Sequence, residues 1–244
     1  VALSPATRST GTVQLVRRRP PTRLLAGLAG VATGLGISVA LVASGVLERV
    51  PGGADAAPAF LEAYERSRWA TFAMDARFSR TMPDGRRLES AAFVAQRPPD
   101  TIRRQLGGLH GVVGGRRLNC STPAGGPYTC GPAGPAPPFE ETVARDLAIF
   151  RSYFAPDAPV YEVRRVEDGC FELTLVGAVV DPPYGERTRM CFDAATGAMR
   201  TLELRRTGGA VDRLEALSIR SSVTDADFTT AEDAGYAPTV VDPP

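Results

Sequence analysis

The side chains able to do chemistry in this 244-residue chain are few: one histidine, His110, and four cysteines, Cys120, Cys130, Cys170 and Cys191. Nucleophilic catalysis of the Ser-His-Asp kind needs a base beside the nucleophile. His110 lies between Gly-Gly-Leu and Gly-Val-Val, a hairpin context rather than that of a base. A zinc site would draw on the cysteines, but there is no C-x-x-C and only the one histidine. Disulfides are the better reading. Three pairings of four cysteines are open to sequence reasoning, and local context favours Cys120–Cys130 and Cys170–Cys191. The first two flank the turn-rich STPAGGPYT, and the second two each begin a Cys-Phe pair at the edge of a β-like run. Paired cysteines are poor thiolate nucleophiles, and such bonds persist in oxidising compartments.

The remaining charged groups give no catalytic constellation. The carboxylate pairs Glu140-Glu141 and Glu167-Asp168 suit a helix first turn and a tight turn. The glycines at 107, 108, 111, 114 and 115 lie between β-like runs, not in a strand-to-helix phosphate loop. Arginine pairs recur at Arg86-Arg87, Arg103-Arg104, Arg116-Arg117, Arg164-Arg165 and Arg205-Arg206. They read first as solvated strand edges, and alternatively as partners of anionic lipid head groups near a membrane. Net charge is +1, which argues against nucleic acid as a partner. All 28 basic residues are arginine, a bias of GC-rich genomes rather than a demand of function, and Val1 reads as an alternative start codon translated literally. The expectation is a protein without catalytic residue, metal or cofactor.

The elements that position these groups follow from periodicity. PAFLEAYERSR has Phe60, Leu61 and Tyr64 at helical spacing, and the period then drops to two, with Ala70, Phe72, Met74, Ala76 and Phe78 apolar. Met82-Pro83-Asp84-Gly85 is a hairpin turn, and a second strand runs through Leu88, Phe93 and Val94 to Arg97-Pro98-Pro99-Asp100. Short β-like runs follow at 101–106, 111–113, 116–122 and 128–130, the spacing of an antiparallel meander. FEETVARDLAIFRSYF interrupts with one helix, its apolar stripe formed by Phe139, Val143, Leu147, Phe150 and Phe154. Strands resume at 160–166, 170–176, 187–193, 199–206 and 211–223.

Leu24 to Leu47 carries no charge and exceeds the roughly 20 apolar residues needed to cross a bilayer. Arg17, Arg18, Arg19 and Arg23 precede it, which keeps the N-terminus cytoplasmic and sends the rest outside. A membrane anchor is favoured; a signal peptide cut near Ala54-Asp55-Ala56 is the competing reading. No cysteine near the end of the run offers a site for a lipid. The expected organisation is a basic cytoplasmic segment (1–23), a transmembrane helix (24–47), a linker (48–58), an extracytoplasmic domain (59–230) and a flexible tail (231–244).

The domain resembles the LolA-type lipoprotein-carrier superfamily, which includes the RseB envelope-stress sensors. The resemblance spans about 58–230. It rests on the leading helix, the long hairpin with F-x-x-x-R-P-P-D-x-x-R from Phe93 to Arg103, the glycine-bearing hairpin GVVGGRRLNCS, and the closing Asp227-Phe228-Thr229. It implies an α+β fold: a curled antiparallel sheet, or half-open barrel, with two helices on its concave side around an apolar cavity for acyl chains. Candidate cavity residues are Phe72, Met74, Phe78, Leu106, Leu147 and Phe150. The chain departs from the family in its tether, in its two cysteine pairs, and in lacking the lipidated cysteine of mycobacterial relatives. Tethering favours local handover or sensing over long-range shuttling. The expected function is binding of a lipid or acylated ligand; the alternative is an envelope sensor that binds a protein partner.

Overall fold

Period-two alternation needs a neighbouring strand on each side, and the long run from Phe72 finds both. The structure, a computed structural model, describes residues 56–121, 129–130, 134–229 and 239–241. After helix α1 (Ala56–Trp69) come β1 (Phe72–Thr81), β2 (Arg87–Arg97), β3 (Asp100–Gln105), β4 (Gly108–Val113), β5 (Arg116–Ser121) and β6 (Thr129–Cys130). Helix α2 (Phe139–Tyr153) leads into β7 (Tyr161–Glu167), β8 (Cys170–Leu175), β9 (Arg187–Phe192), β10 (Met199–Arg205) and β11 (Val211–Arg220). These strands make one antiparallel path in the order β6-β5-β4-β3-β2-β1-β11-β10-β9-β8-β7, with β6 and β7 as open ends. The architecture is α+β: two meanders zipped together where β1 pairs with β11.

Register decides which side chains share a face. Phe78, Leu214, Leu202, Met190 and Phe171 are successive cross-strand partners, so they form one row across the helix-bearing face. Phe93, Arg104, Leu109, Cys120 and Cys130 form a row on the opposite face. There a 3-10 turn at Asp225–Phe228 covers the sheet, and Phe228 packs with Phe93, Ala95, Ile102 and Leu109. Arg104 stacks over the Phe93 ring and donates to the Thr229 carbonyl oxygen, while Arg97 pairs with Asp225 and lies over Phe228. The β-like run expected to 223 therefore stops at Arg220, and the chain turns to lie on the sheet.

On the helix-bearing face the core is aromatic. Phe60 of α1 meets Phe150 and Phe154 of the α2 end and Phe171 and Phe192 of the sheet, all edge-on. Each such ring contributes roughly 1.5–3 kcal/mol by burial, with about 0.5–1.5 kcal/mol more per favourable pair. The end of α1 is held by Gln96 of β2, whose buried amide donates to the carbonyls of Ser67, Arg68 and Ala70 at 2.7, 2.9 and 2.8 Å. The last carbonyls of a helix lack intrahelical donors, and Gln96 supplies them from the sheet. That bond fixes where Arg68 and Trp69 stand.

Both disulfides join direct cross-strand partners, Cys120 to Cys130 and Cys170 to Cys191, with Cα–Cα distances of 3.9 and 4.0 Å. Within the 231–244 segment, Thr239–Val241 forms a further strand, β12, along Arg87 to Glu89 of β2. The expected transmembrane helix at 24–47 lies outside the described residues. Among the described residues no helix is long and apolar enough to cross a membrane.

Candidate functional site

Among the described residues, the helix pair covers β7, β8 and β9 and leaves the helix-bearing side of β3, β4 and β5 open. Between that open half and the helices lies a cleft of about 990 Å³. Its walls come from the end of α1 (Arg68, Trp69), the start of α2 (Phe139, Glu140, Arg145) and the strands (Thr101, His110, Val112, Arg117). Trp69 and Phe139 meet edge-on at 5.0 Å and join the two helix ends into one wall. Arg68 reinforces the joint by pairing with Asp146 of α2 at 3.2 Å. Gly111 is required in the floor: a Cβ there would sit 2.1 Å from the Thr101 carbonyl oxygen.

Behind the cleft is a smaller pocket of about 220 Å³ that shares Arg68, Thr101 and His110 as walls. Its interior is apolar, made by Phe72, Met74, Val94, Met199 and Leu214. The change from apolar to polar follows the register. Ile219, Met74, Val94, Arg103, His110 and Asn119 are successive partners across β11, β1, β2, β3, β4 and β5. A single row thus runs from aliphatic side chains at the sheet centre to a guanidinium, an imidazole and an amide at its open edge.

The electrostatics of the site are cationic. Arg68, Arg103, Arg117 and Arg145 line the cleft and pocket, against Glu140 as the carboxylate in those walls. Arg103 is partly buried, and burial lowers its pKa, although an arginine stays charged throughout the accessible range. Its Nε donates to Gln105 Oε1 at 2.9 Å, a neutral acceptor. Tyr64, in the pocket wall, has its pKa raised, chiefly by burial. Among the described residues no group of three or more His, Cys, Asp or Glu side chains is placed to hold a metal ion.

The six candidate cavity residues divide. Phe72 and Met74 line the inner pocket. Phe78 is buried in the same cluster as Phe72 and Met74 but lines neither cavity. Leu147 and Phe150 are on the buried stripe of α2, and Phe150 is taken up by the aromatic core with Phe60, Tyr64 and Tyr184. Leu106 occupies the β3–β4 turn at φ 51°, beside Gly107 at 68°. Sequence reasoning missed Arg68, Trp69, Thr101 and Phe139 as site residues, and named Arg103 only within an arginine pair read first as a solvated strand edge and alternatively as a partner of anionic lipid head groups. The one available signal was strand parity: Thr101 and Arg103 alternate with Ile102 and Arg104, so the two arginines of that pair face opposite ways.

No family model and no curated protein matches the chain. Solved structures with a similar fold include MucB, at 17% identity over 74% of this chain and 65% of that one, with a TM-score of 0.39. MucB in complex with MucA(peri) matches at 17%, 72%, 60% and 0.38 in the same terms. LprF from Mycobacterium bovis follows at 14% identity, 69% and 94% coverage and a TM-score of 0.33. A LolA superfamily protein from Nitrosomonas europaea stands at 13%, 71%, 97% and 0.21. The chain spans less than two thirds of the MucB chains it matches.

Proposed function

We propose that the chain is an extracytoplasmic binding protein, anchored at the cell membrane through residues 24–47, that takes a lipid or acylated ligand in the cleft. The observation carrying this reading is the cleft with its apolar inner pocket, on the helix-bearing side of an antiparallel sheet that is not closed. The cleft by itself falls in the range of small-molecule sites. An acyl chain of about 16 carbons gains on the order of 10 kcal/mol of gross burial at ~0.8 kcal/mol per CH₂. Association costs several kcal/mol, so binding needs no catalytic group. The disulfides fit an oxidising compartment, and the resemblance to LolA-type carriers points the same way.

The test is to compare lipid co-purifying with the full chain and with its Thr101→Trp variant, by mass spectrometry of the extracted lipid. Lipid around an anchor is common to both proteins, whereas the indole introduced by the substitution plugs the passage from cleft to pocket. Loss of one lipid class at near-stoichiometric amount in the variant supports the reading. Identical lipid complements overturn it, and a stoichiometric membrane protein retained by the parent alone would favour a sensor that binds a protein partner.

A further inference from the structure

Among the described residues, half of the arginines hold a carboxylate: 11 of 22. Arg80 and Arg206 bracket Asp212, Arg68 holds Asp146, Arg187 holds Glu172, Arg189 holds Glu167, and Arg220 holds Asp227. Arg104 faces away from the cleft and is engaged by the carbonyls of Asp227 and Thr229. Arg103 differs. Its side chain lines the inner pocket, and the acceptor it meets is the neutral amide oxygen of Gln105. A partly buried guanidinium without a counter-charge is costly unless something supplies one. Its planar fork matches the two oxygens of a carboxylate or phosphate.

What lies beside it completes the pattern. Val94 is its partner on β2 and His110 its partner on β4, so the guanidinium stands where the row changes from aliphatic to polar. Met74, next in the row beyond Val94, lines the same pocket. The carboxylate of Asp146 is already taken by Arg68, and Glu140 belongs to the outer cleft wall. A ligand oxyanion at Arg103 would therefore project an attached chain toward Val94, Met74 and Phe72.

We propose that Arg103 is the headgroup seat of the cleft, and that the ligand is an anionic amphiphile: a carboxylate or phosphate at Arg103, with its hydrocarbon chain in the inner pocket. The proposal rests on the cleft being the binding site and adds the charge of what it takes. Arg103 selects among amphiphiles, while the apolar walls supply most of the affinity.

The experiment is calorimetric titration of the full chain, held in solution by amphipol. The probes are dodecanoate, dodecyl phosphate, the neutral ester methyl dodecanoate, and inorganic phosphate alone. The parent protein is expected to bind both charged amphiphiles at least ~10-fold more tightly than the ester, the scale of one charge-assisted contact. Arg103→Gln should leave the ester affinity within about 2-fold and bring the preference below about 3-fold. Arg103→Lys, which keeps the charge, should retain part of it. Equal affinity of the parent for ester and carboxylate overturns the proposal and leaves the apolar cleft standing, and this needs no variant to fold. Equal weakening of ester and carboxylate by Arg103→Gln also overturns it, because the residue would then be supporting the fold. Inorganic phosphate binding as tightly as dodecyl phosphate overturns the amphiphile and makes the site one for a free anion. Failure of every amphiphile to bind removes the cleft reading as well.

Discussion

The helix-bearing face of the sheet has two halves built from the same strand period, and they end differently. Over β7, β8 and β9 the inward residues are Tyr161, Val163, Phe171, Leu173, Met190 and Phe192, and α1 and α2 cover them. Over β3, β4 and β5 the residues of that face include Thr101, Arg103, His110, Arg117 and Asn119, and among the described residues no helix lies on them. A helix laid on the second half would have desolvated a guanidinium and an imidazole without giving them partners. The helices therefore dock where rings await them, and the polar half becomes the wall of a cleft. The aromatic core is concentrated in one half and the cleft lies over the other.

The largest expected effect breaks the closed half. Phe60 is fully buried among Phe150, Phe154, Phe171 and Phe192. Phe60→Ala removes a ring from a packed site, and such changes cost about 3–5 kcal/mol. Trp69 at the cleft mouth is 45% exposed, and Trp69→Ala should cost less than half as much. Urea denaturation of the two variants, analysed at equal slope, checks the contrast; similar losses would mean that the cleft wall is as structural as the core. The disulfides come next. Chain-entropy arithmetic for separations of 10 and 21 residues gives about 3 kcal/mol for each bridge. Replacing Cys170 and Cys191 together by serine should weaken the closed half by that order, and a change under about 1 kcal/mol would show that the helices suffice without it.

Much of this architecture was legible in the sequence, for identifiable reasons. The order and type of the elements followed from period and turn chemistry: Phe72 to Phe78 alternate over β1, Asp84-Gly85 turns the first hairpin, and the stripe through Val143, Leu147 and Phe150 marks α2. For the cysteines, three pairings stayed open, and local context favoured the two that the structure contains. What escaped depends on register and docking, which local patterns do not carry. Gln96 reads as one more polar strand residue until the α1 carbonyls stand above it. Phe150 and Phe72 are equally apolar in sequence, yet one fills the core and the other lines the pocket. The opposite duties of Arg103 and Arg104 are visible only once β3 is paired on both sides.

A smaller effect sharpens the comparison through pH. Asp212, at the seam of the two meanders, is held by Arg80 and Arg206, each at 2.8 Å from Oδ2. Burial alone would raise its pKa, but the hydrogen bonds from the two arginines outweigh burial and hold it below the ordinary carboxylate value. A group whose folded pKa is depressed stabilises the fold fully above its unfolded value, about 3.9, and loses that contribution as pH falls through the folded value. Asp212→Asn should therefore cost about 2–3 kcal/mol at pH 7, the scale of hydrogen bonds to a charged group. The gap between parent and variant should narrow as the pH is taken below about 4. Unfolding measured at pH 7 and at acid pH checks this, and a constant gap would mean that the carboxylate's charge contributes nothing.

The smallest expected effect is the most informative about the open half. Arg80 and Arg103 are both strand arginines on the faces of one sheet, but only Arg80 has a carboxylate to hold. Arg80→Gln leaves the nearly buried Asp212 with one partner, and removing one side of such a pair is strongly destabilising. Arg103→Gln removes a hydrogen bond to a neutral amide and relieves the desolvation of an uncompensated cation. Those contributions oppose one another, so the net change in unfolding free energy should stay within about 1 kcal/mol of zero. Thermal unfolding of the ligand-free protein measures it. A loss comparable to that of Arg80→Gln would place Arg103 among the residues that build the sheet; a near-neutral change would mark a charge that the fold carries without using, which is what a ligand seat requires.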